Sequence, residues 1–266
     1  MQTIVLTTQK GGSGKSTLSI SLALAAIRAG HNVRLIETDT QGSLSNWRPR
    51  RPHAAPIVEP IYAAREVERR LQSIDREGVT VTIVDTSAGV TAATVSAIRY
   101  ADFCLIPSRP SIVDIEATAA TLSVVRAWRK PFAYVLNQTP IRAAARLAGA
   151  ENSLGDEAAL DVDDILARPT IVMRNDHQDA VSAGLSVCEY APDGKSAEEI
   201  RALWQWICAR MGNEATASDE PIIEEMVETS AILPAMAALP RIDIDSALFR
   251  RAPARLQRVG ARARGP

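Results

Sequence analysis

Residues 9–17 read Gln-Lys-Gly-Gly-Ser-Gly-Lys-Ser-Thr, set between an apolar run (3–8) and a stretch (16–29) with apolar residues three and four apart. This strand, glycine loop and helix in immediate succession constrain the fold more than any other feature. Glycines let backbone N–H groups converge on an anion, and the helix that follows adds the positive end of its dipole. Lys15 supplies a point charge, and Ser16 stands where a hydroxyl ligates Mg²⁺ bridging the β- and γ-phosphates. The residues in contact with phosphate are therefore expected to be Gly11, Gly12, Ser13, Gly14, Lys15, Ser16 and Thr17. The strict Gly-x4-Gly-Lys-Ser/Thr pattern is broken at its first position by Gln9, and an extra lysine, Lys10, stands beside it.

Further β-branched or apolar runs lie at 32–37, 79–84, 103–107, 132–137 and 170–173, with helical spacing at 113–128 and 197–211. Alternation of this kind implies right-handed crossovers in an α/β fold: a mostly parallel central sheet with helices on both faces. Residues 49–60 read as a loop, while 143–164 is ambiguous between helix and insertion. The layered domain is expected to span 1–211. Residues 212–266 form an acidic then basic extension of the kind that usually marks a mobile appendage.

The composition, 46% hydrophobic and 23% charged over 266 residues, excludes a collagen-like or wholly disordered chain. A net charge of −1 leaves nucleic-acid binding to a local patch. Cys104, Cys188 and Cys208 lie far apart without a CxxC pair, which argues against a disulfide framework, a zinc site or a cluster. No apolar run is long enough for a membrane-spanning helix, and no signal-peptide core precedes the loop, so a cytoplasmic setting is expected.

The lysine-bearing loop resembles the deviant Walker A of the ParA/MinD group of P-loop ATPases, and the likeness covers most of residues 1–211. The resemblance implies that Lys10 reaches across an ATP-sandwich homodimer to the partner's phosphates. Glu37-Thr38-Asp39-Thr40-Gln41 is similar to the group's Asp-x-Asp-Pro-Gln switch segment, with Glu37 and Thr40 as departures. Asp39 then falls on the aspartate that orients the attacking water, although an acid here could equally cap a helix. Val81-Thr82-Ile83-Val84-Asp85 looks like a Walker B strand whose Asp85 holds Mg²⁺ through water, with Ala88 replacing a later proline. Asn137 matches the asparagine that binds adenine, and Pro192 and Asp193 belong to the segment that packs on the base. As plain readings, Asn137 is a strand-end cap and Pro192 a turn.

No Asn-Lys-x-Asp guanine pattern occurs, and the family precedent is ATP with Mg²⁺. The resemblance implies a slow, partner-stimulated, nucleoid-associated ATPase that binds DNA non-specifically. Its cargo would be a plasmid, a chromosome region or a protein cluster, reached through a ParB-like or other adaptor. Arg168, Arg174, Arg201 and Arg210, with Arg142 and Arg146 as rivals, are the candidate DNA contacts. The alternative is a MinD-like regulator docking on anionic lipid through a basic amphipathic helix at 246–264. His177, without triad or metal-ligand spacing around it, reads as a structural or surface residue.

Overall fold

The computed structural model describes residues 1–142 and 144–214. Six short runs form one all-parallel sheet: β1 Gln2–Leu6, β2 Val33–Glu37, β3 Ile57–Pro60, β4 Val81–Asp85, β5 Phe103–Ser108 and β6 Phe132–Leu136. Their order across the sheet is β3-β2-β4-β1-β5-β6, and Val5 of β1 stands in register with Val84 on one side and Cys104 on the other. Helices connect them: α1 Lys15–Arg28, α2 Ser43–Trp47, α3 Ala64–Ser73, α4 Ala92–Arg99, α5 Ile112–Glu116 and α6 Ala119–Ala127. After β6 come α7 Ala144–Ala158, α8 Val162–Ile165, α9 Asp176–Ser182, α10 Val187–Tyr190 and α11 Lys195–Glu214.

Alternate strand residues point to opposite faces, and each face has its own core. Ile4, Leu6, Leu35, Ile83 and Leu105 pack with Leu18 and Leu22 of α1 and Ile200 and Leu203 of α11. Val5, Ile36, Val84 and Cys104 pack with Val67 and Leu71 of α3 and Ala97 and Ile98 of α4. Cover on both faces is why the central strands are apolar throughout rather than alternating.

Several local expectations are corrected or resolved. Residues 49–60 are not all loop, because Ile57–Pro60 pairs with β2 as an edge strand. That strand is short, half exposed and bounded by Pro56 and Pro60, so it carries little strand signal. The helical stretch 113–128 is two helices, broken where buried Thr118 donates from Oγ1 to the Ile115 carbonyl. Residues 170–173 form no full strand. They run beside β6 with a parallel bridge between Thr139 and Val172 and an Ile171 N–H donated to the Leu136 carbonyl. The ambiguous stretch after Ala143 is helical in α7 and α8. The last helix continues past Met211 to Glu214, and the rest of the 212–266 extension, with the 246–264 segment, lies outside the described residues.

Candidate functional site

All six strands run the same way, so their carboxyl ends deliver side chains to one edge of the sheet, where open α/β folds bind ligands. The loop after β1 takes left-handed φ at Gly12 (75°) and Gly14 (89°). Gly14 must stay glycine for a second reason: a Cβ there would lie 2.2 Å from Asn137 Nδ2. At Gly11 and Gly12, by contrast, a Cβ would meet nothing within 4 Å, so the loop's outer rim is open. The cavity over it, about 400 Å³, is lined by Gly14, Lys15, Ser16, Thr17, Asp39 and Ala88 among others.

Lys15 opens α1 and is only 7% exposed. Burial lowers its readiness to hold a proton, while Asp85 and Asp39 pull the other way. Its Nζ lies 3.5 Å from the Lys10 carbonyl. Asp85, at the end of β4, is fully buried and accepts from Ser16 Oγ (2.6 Å) and Ser19 Oγ (3.3 Å). Burial pushes its carboxyl up to about 7, against those hydroxyls and Lys15.

A triphosphate and Mg²⁺ fit this donor set. Positive-φ glycines, a helix start and a desolvated lysine offer positive potential, and the Ser13 hydroxyl is buried without a partner. Ser16 and Asp85 already stand together, as a shared cation would need. When bound, Mg²⁺ supplies charge neutralisation between the terminal phosphates.

Asp39 lines the same cavity, and its Oδ1 accepts from the Gln41 N–H in a local turn. Glu37 is fully buried and caps α2, accepting from the Leu44 and Ser45 N–H groups and the Ser45 hydroxyl. The Glu37 departure thus holds the switch segment's own helix rather than facing the cavity. Lys10 does not line the phosphate cavity either. Its ammonium, 36% exposed, pairs at 2.7 Å with Asp114 of α5, which also accepts from Arg109 and Ser111.

Asn137 comes to the loop, donating from Nδ2 to the Ser13 carbonyl at 2.7 Å. Beside it Gln138, in left-handed backbone (φ 55°), donates to the Gly12 carbonyl at 2.8 Å. Sequence reasoning missed Gln138, since a glutamine after a strand carries no motif. Pro192 and Asp193 are not brought to the site. They are exposed between α10 and α11, where the Pro192 carbonyl accepts from Arg201. The Cys188 carbonyl of α10 is bound by Arg28 in the last turn of α1, the end remote from the loop. The place beside Thr17 and Asn137 is taken instead by 172–174 and α9, which brings His177 into a cavity wall.

A glycine-rich loop feeding a helix, a buried lysine, and a serine–aspartate pair on the carboxyl edge of a parallel sheet together define a P-loop nucleotide-binding protein. The chain belongs to the CobQ/CobB/MinD/ParA nucleotide binding domain family, whose pattern matches residues 4–168. It is 28% identical over 204 residues, 74% of this chain and 91% of the other, to maintenance of carboxysome distribution protein A of Halothiobacillus neapolitanus. To protein ParA of Rhizobium radiobacter it is 33% identical over 131 residues, 47% of this chain and 56% of the other. Its fold matches that of the septum site-determining protein MinD from Pyrococcus horikoshii, solved with Mg-ADP. The TM-score is 0.63 at 16% identity, covering 81% of this chain and 99% of that one.

Proposed function

We propose that the chain is an ATPase that dimerises on ATP, binds DNA non-specifically in the cytoplasm and positions or partitions a cargo, with hydrolysis stimulated by an adaptor protein. The ATPase domain is assigned to residues 1–211 and a C-terminal extension to 212–266. One observation carries the reading. The loop holds a second ammonium, on Lys10, which Lys15 makes redundant inside the chain's own phosphate cavity and which stays partly exposed on Asp114. Such a charge is of use where another subunit presents phosphate. The relatives named for ParA and for carboxysome distribution support the positioning role.

In this reading the loop amides and Lys15 grip the phosphates, Ser16 and Asp85 hold Mg²⁺, and Asp39 orients the attacking water. Lys10 leaves Asp114 for the partner's phosphates. DNA contact falls to arginines that keep their net charge. Arg168 and Arg174 are paired with Glu151 and Glu199, whereas among the described residues Arg201 and Arg210 have no acidic partner: they donate to the Pro192 and Asp164 carbonyls, and Arg210 also lies over the Trp206 ring. Two such patches side by side neutralise more phosphates than one, so dimerisation gates DNA affinity.

The test is self-association by light scattering with and without ATP. Lys10→Ala is expected to retain ATP binding and lose the ATP-dependent dimer, and an intact dimer would refute the reading. Co-sedimentation of the full chain with DNA or with anionic vesicles then separates DNA-guided from membrane-guided positioning.

A further inference from the structure

Two consecutive side chains after β6 take hold of the phosphate loop. Asn137 donates to the Ser13 carbonyl at 2.7 Å, and Gln138 donates to the Gly12 carbonyl at 2.8 Å. Consecutive residues of a strand face opposite ways, so a loop beside a strand end ordinarily meets only one of them. Gln138 breaks that alternation by taking left-handed backbone (φ 55°), which a glutamine seldom adopts. Its N–H donates to Asn137 Oδ1, which ties the two amides into one unit. They abut the loop closely: a Cβ on Gly14 would lie 2.2 Å from Asn137 Nδ2 and 3.6 Å from Gln138 Nε2. The two captured carbonyls belong to consecutive peptides, Gly12–Ser13 and Ser13–Gly14, neither of them cis. In a trans peptide the C=O and the N–H point in opposite directions. Holding the Gly12 carbonyl therefore aims the Ser13 N–H away from Gln138, and holding the Ser13 carbonyl aims the Gly14 N–H away from Asn137. Among the described residues neither N–H donates to any other group. Gly12 and Gly14 wall the phosphate cavity, whereas Asn137 and Gln138 do not line it.

We propose that Gln138 is a positioning residue: its side-chain amide, together with that of Asn137, keeps the Ser13 and Gly14 N–H groups turned toward a bound phosphate. This role rests on the nucleotide reading above and deepens it. Glycines at 11, 12 and 14 let the loop take its left-handed turns, but the same freedom lets its peptides turn over. At Gly11 and Gly12 nothing lies within 4 Å of where a side chain would begin, so packing does not stop such a flip. A flipped Gly12–Ser13 peptide would present an oxygen, a hydrogen-bond acceptor, where an anion needs a donor. The amide of Gln138 holds the peptide in the useful orientation before any ligand arrives, which leaves less ordering for binding to accomplish.

Calorimetric titration of the full chain with inorganic tripolyphosphate and with Mg-ATP, beside urea unfolding without ligand, tests this. Gln138→Met keeps the length of the side chain and loses the donor. Gln138→Gly also loses the donor but suits left-handed backbone. Both variants are expected to weaken tripolyphosphate and Mg-ATP alike by about three- to tenfold, the worth of one hydrogen bond. The glycine variant should unfold no more readily than wild type, a separation of affinity from stability that a merely structural role would not produce. Gln138→Asn, an amide one methylene shorter that tolerates left-handed backbone, should recover part of the loss. Undiminished tripolyphosphate binding in both variants would overturn the assignment. So would weakening of Mg-ATP alone, which would make Gln138 a contact to the rest of the nucleotide, or a loss confined to the methionine variant, which would trace to backbone strain. Wild-type binding of neither ligand, or Lys15→Ala binding both as well as wild type, would instead remove the nucleotide reading, and this assignment with it.

Discussion

Asp85 shows how much one side chain can be asked to do. It lies under the loop with no exposure, its carboxyl raised from 3.8 to about 7 chiefly by burial. Between about pH 4 and pH 7 the folded carboxyl keeps a proton that the unfolded chain has released, so folding loses stability as pH rises through that window. Removing the charge should relieve the penalty. Without Mg²⁺, the stability of Asp85→Asn relative to wild type is expected to improve by about 2–3 kcal/mol from pH 5 to pH 8, measured by urea unfolding. A pH-independent difference would show that Asp85 titrates normally. A bound cation would reverse the balance by favouring the ionised form. The aspartate itself was legible in the sequence because it ends an apolar strand run. Its buried, hydroxyl-bound state was not, because Ser19 lies one helical turn beyond the motif.

At the scale of elements, the connection after α2 is tied to α9 by Arg50, which donates to the Val181 carbonyl, and to the turn after α9 and to α10 by Arg51. Arg51, its side chain 3% exposed, reaches both oxygens of Glu189 and the Ala55 and Gly184 carbonyls, and its guanidinium lies over the Trp47 ring. Removing one partner of such a pair strands the other. Arg51→Ala is expected to cost about 2–3 kcal/mol in denaturant unfolding, less than a fully buried pair because Glu189 keeps some contact with water. No loss would mean the linkage is solvated. These ties explain which elements were legible. β1, β2, β4, β5 and β6 declared themselves because cover on both faces demands apolar runs. β3, whose residues are exposed or half-buried, needed no such run, and the break at Thr118 depends on a back-bonded hydroxyl that helical spacing cannot reveal. Pro192 and Asp193 were expected at the base by resemblance, with nothing in their own chemistry to favour it; in the fold they lie exposed between α10 and α11, while residues from 172–178 join Thr17 and Asn137 in walling a cavity.

For the whole molecule, the reading of a switch predicts that grip and turnover separate. Asp39 lies in the phosphate cavity, but among the described residues its carboxyl makes one hydrogen bond, a local turn with Gln41, so its removal leaves the loop's architecture alone. Asp39→Ala is therefore expected to dimerise on ATP and remain on DNA while phosphate release falls to background. Hydrolysis at the wild-type rate would take Asp39 out of the chemistry. The borders of the sheet bear on how copies of such a switch meet. On one side β3 is four residues long, ends in a proline, and has Glu59 clamped by Arg34 and Arg70. On the other, β6 is shielded by 166–173, whose amides at Ala167 and Ile171 already occupy the Tyr134 and Leu136 carbonyls. A short, proline-ended, charged edge on one flank and carbonyls already bonded on the other give another backbone little to zip onto. Copies of this protein are thereby discouraged from growing into fibrils side by side.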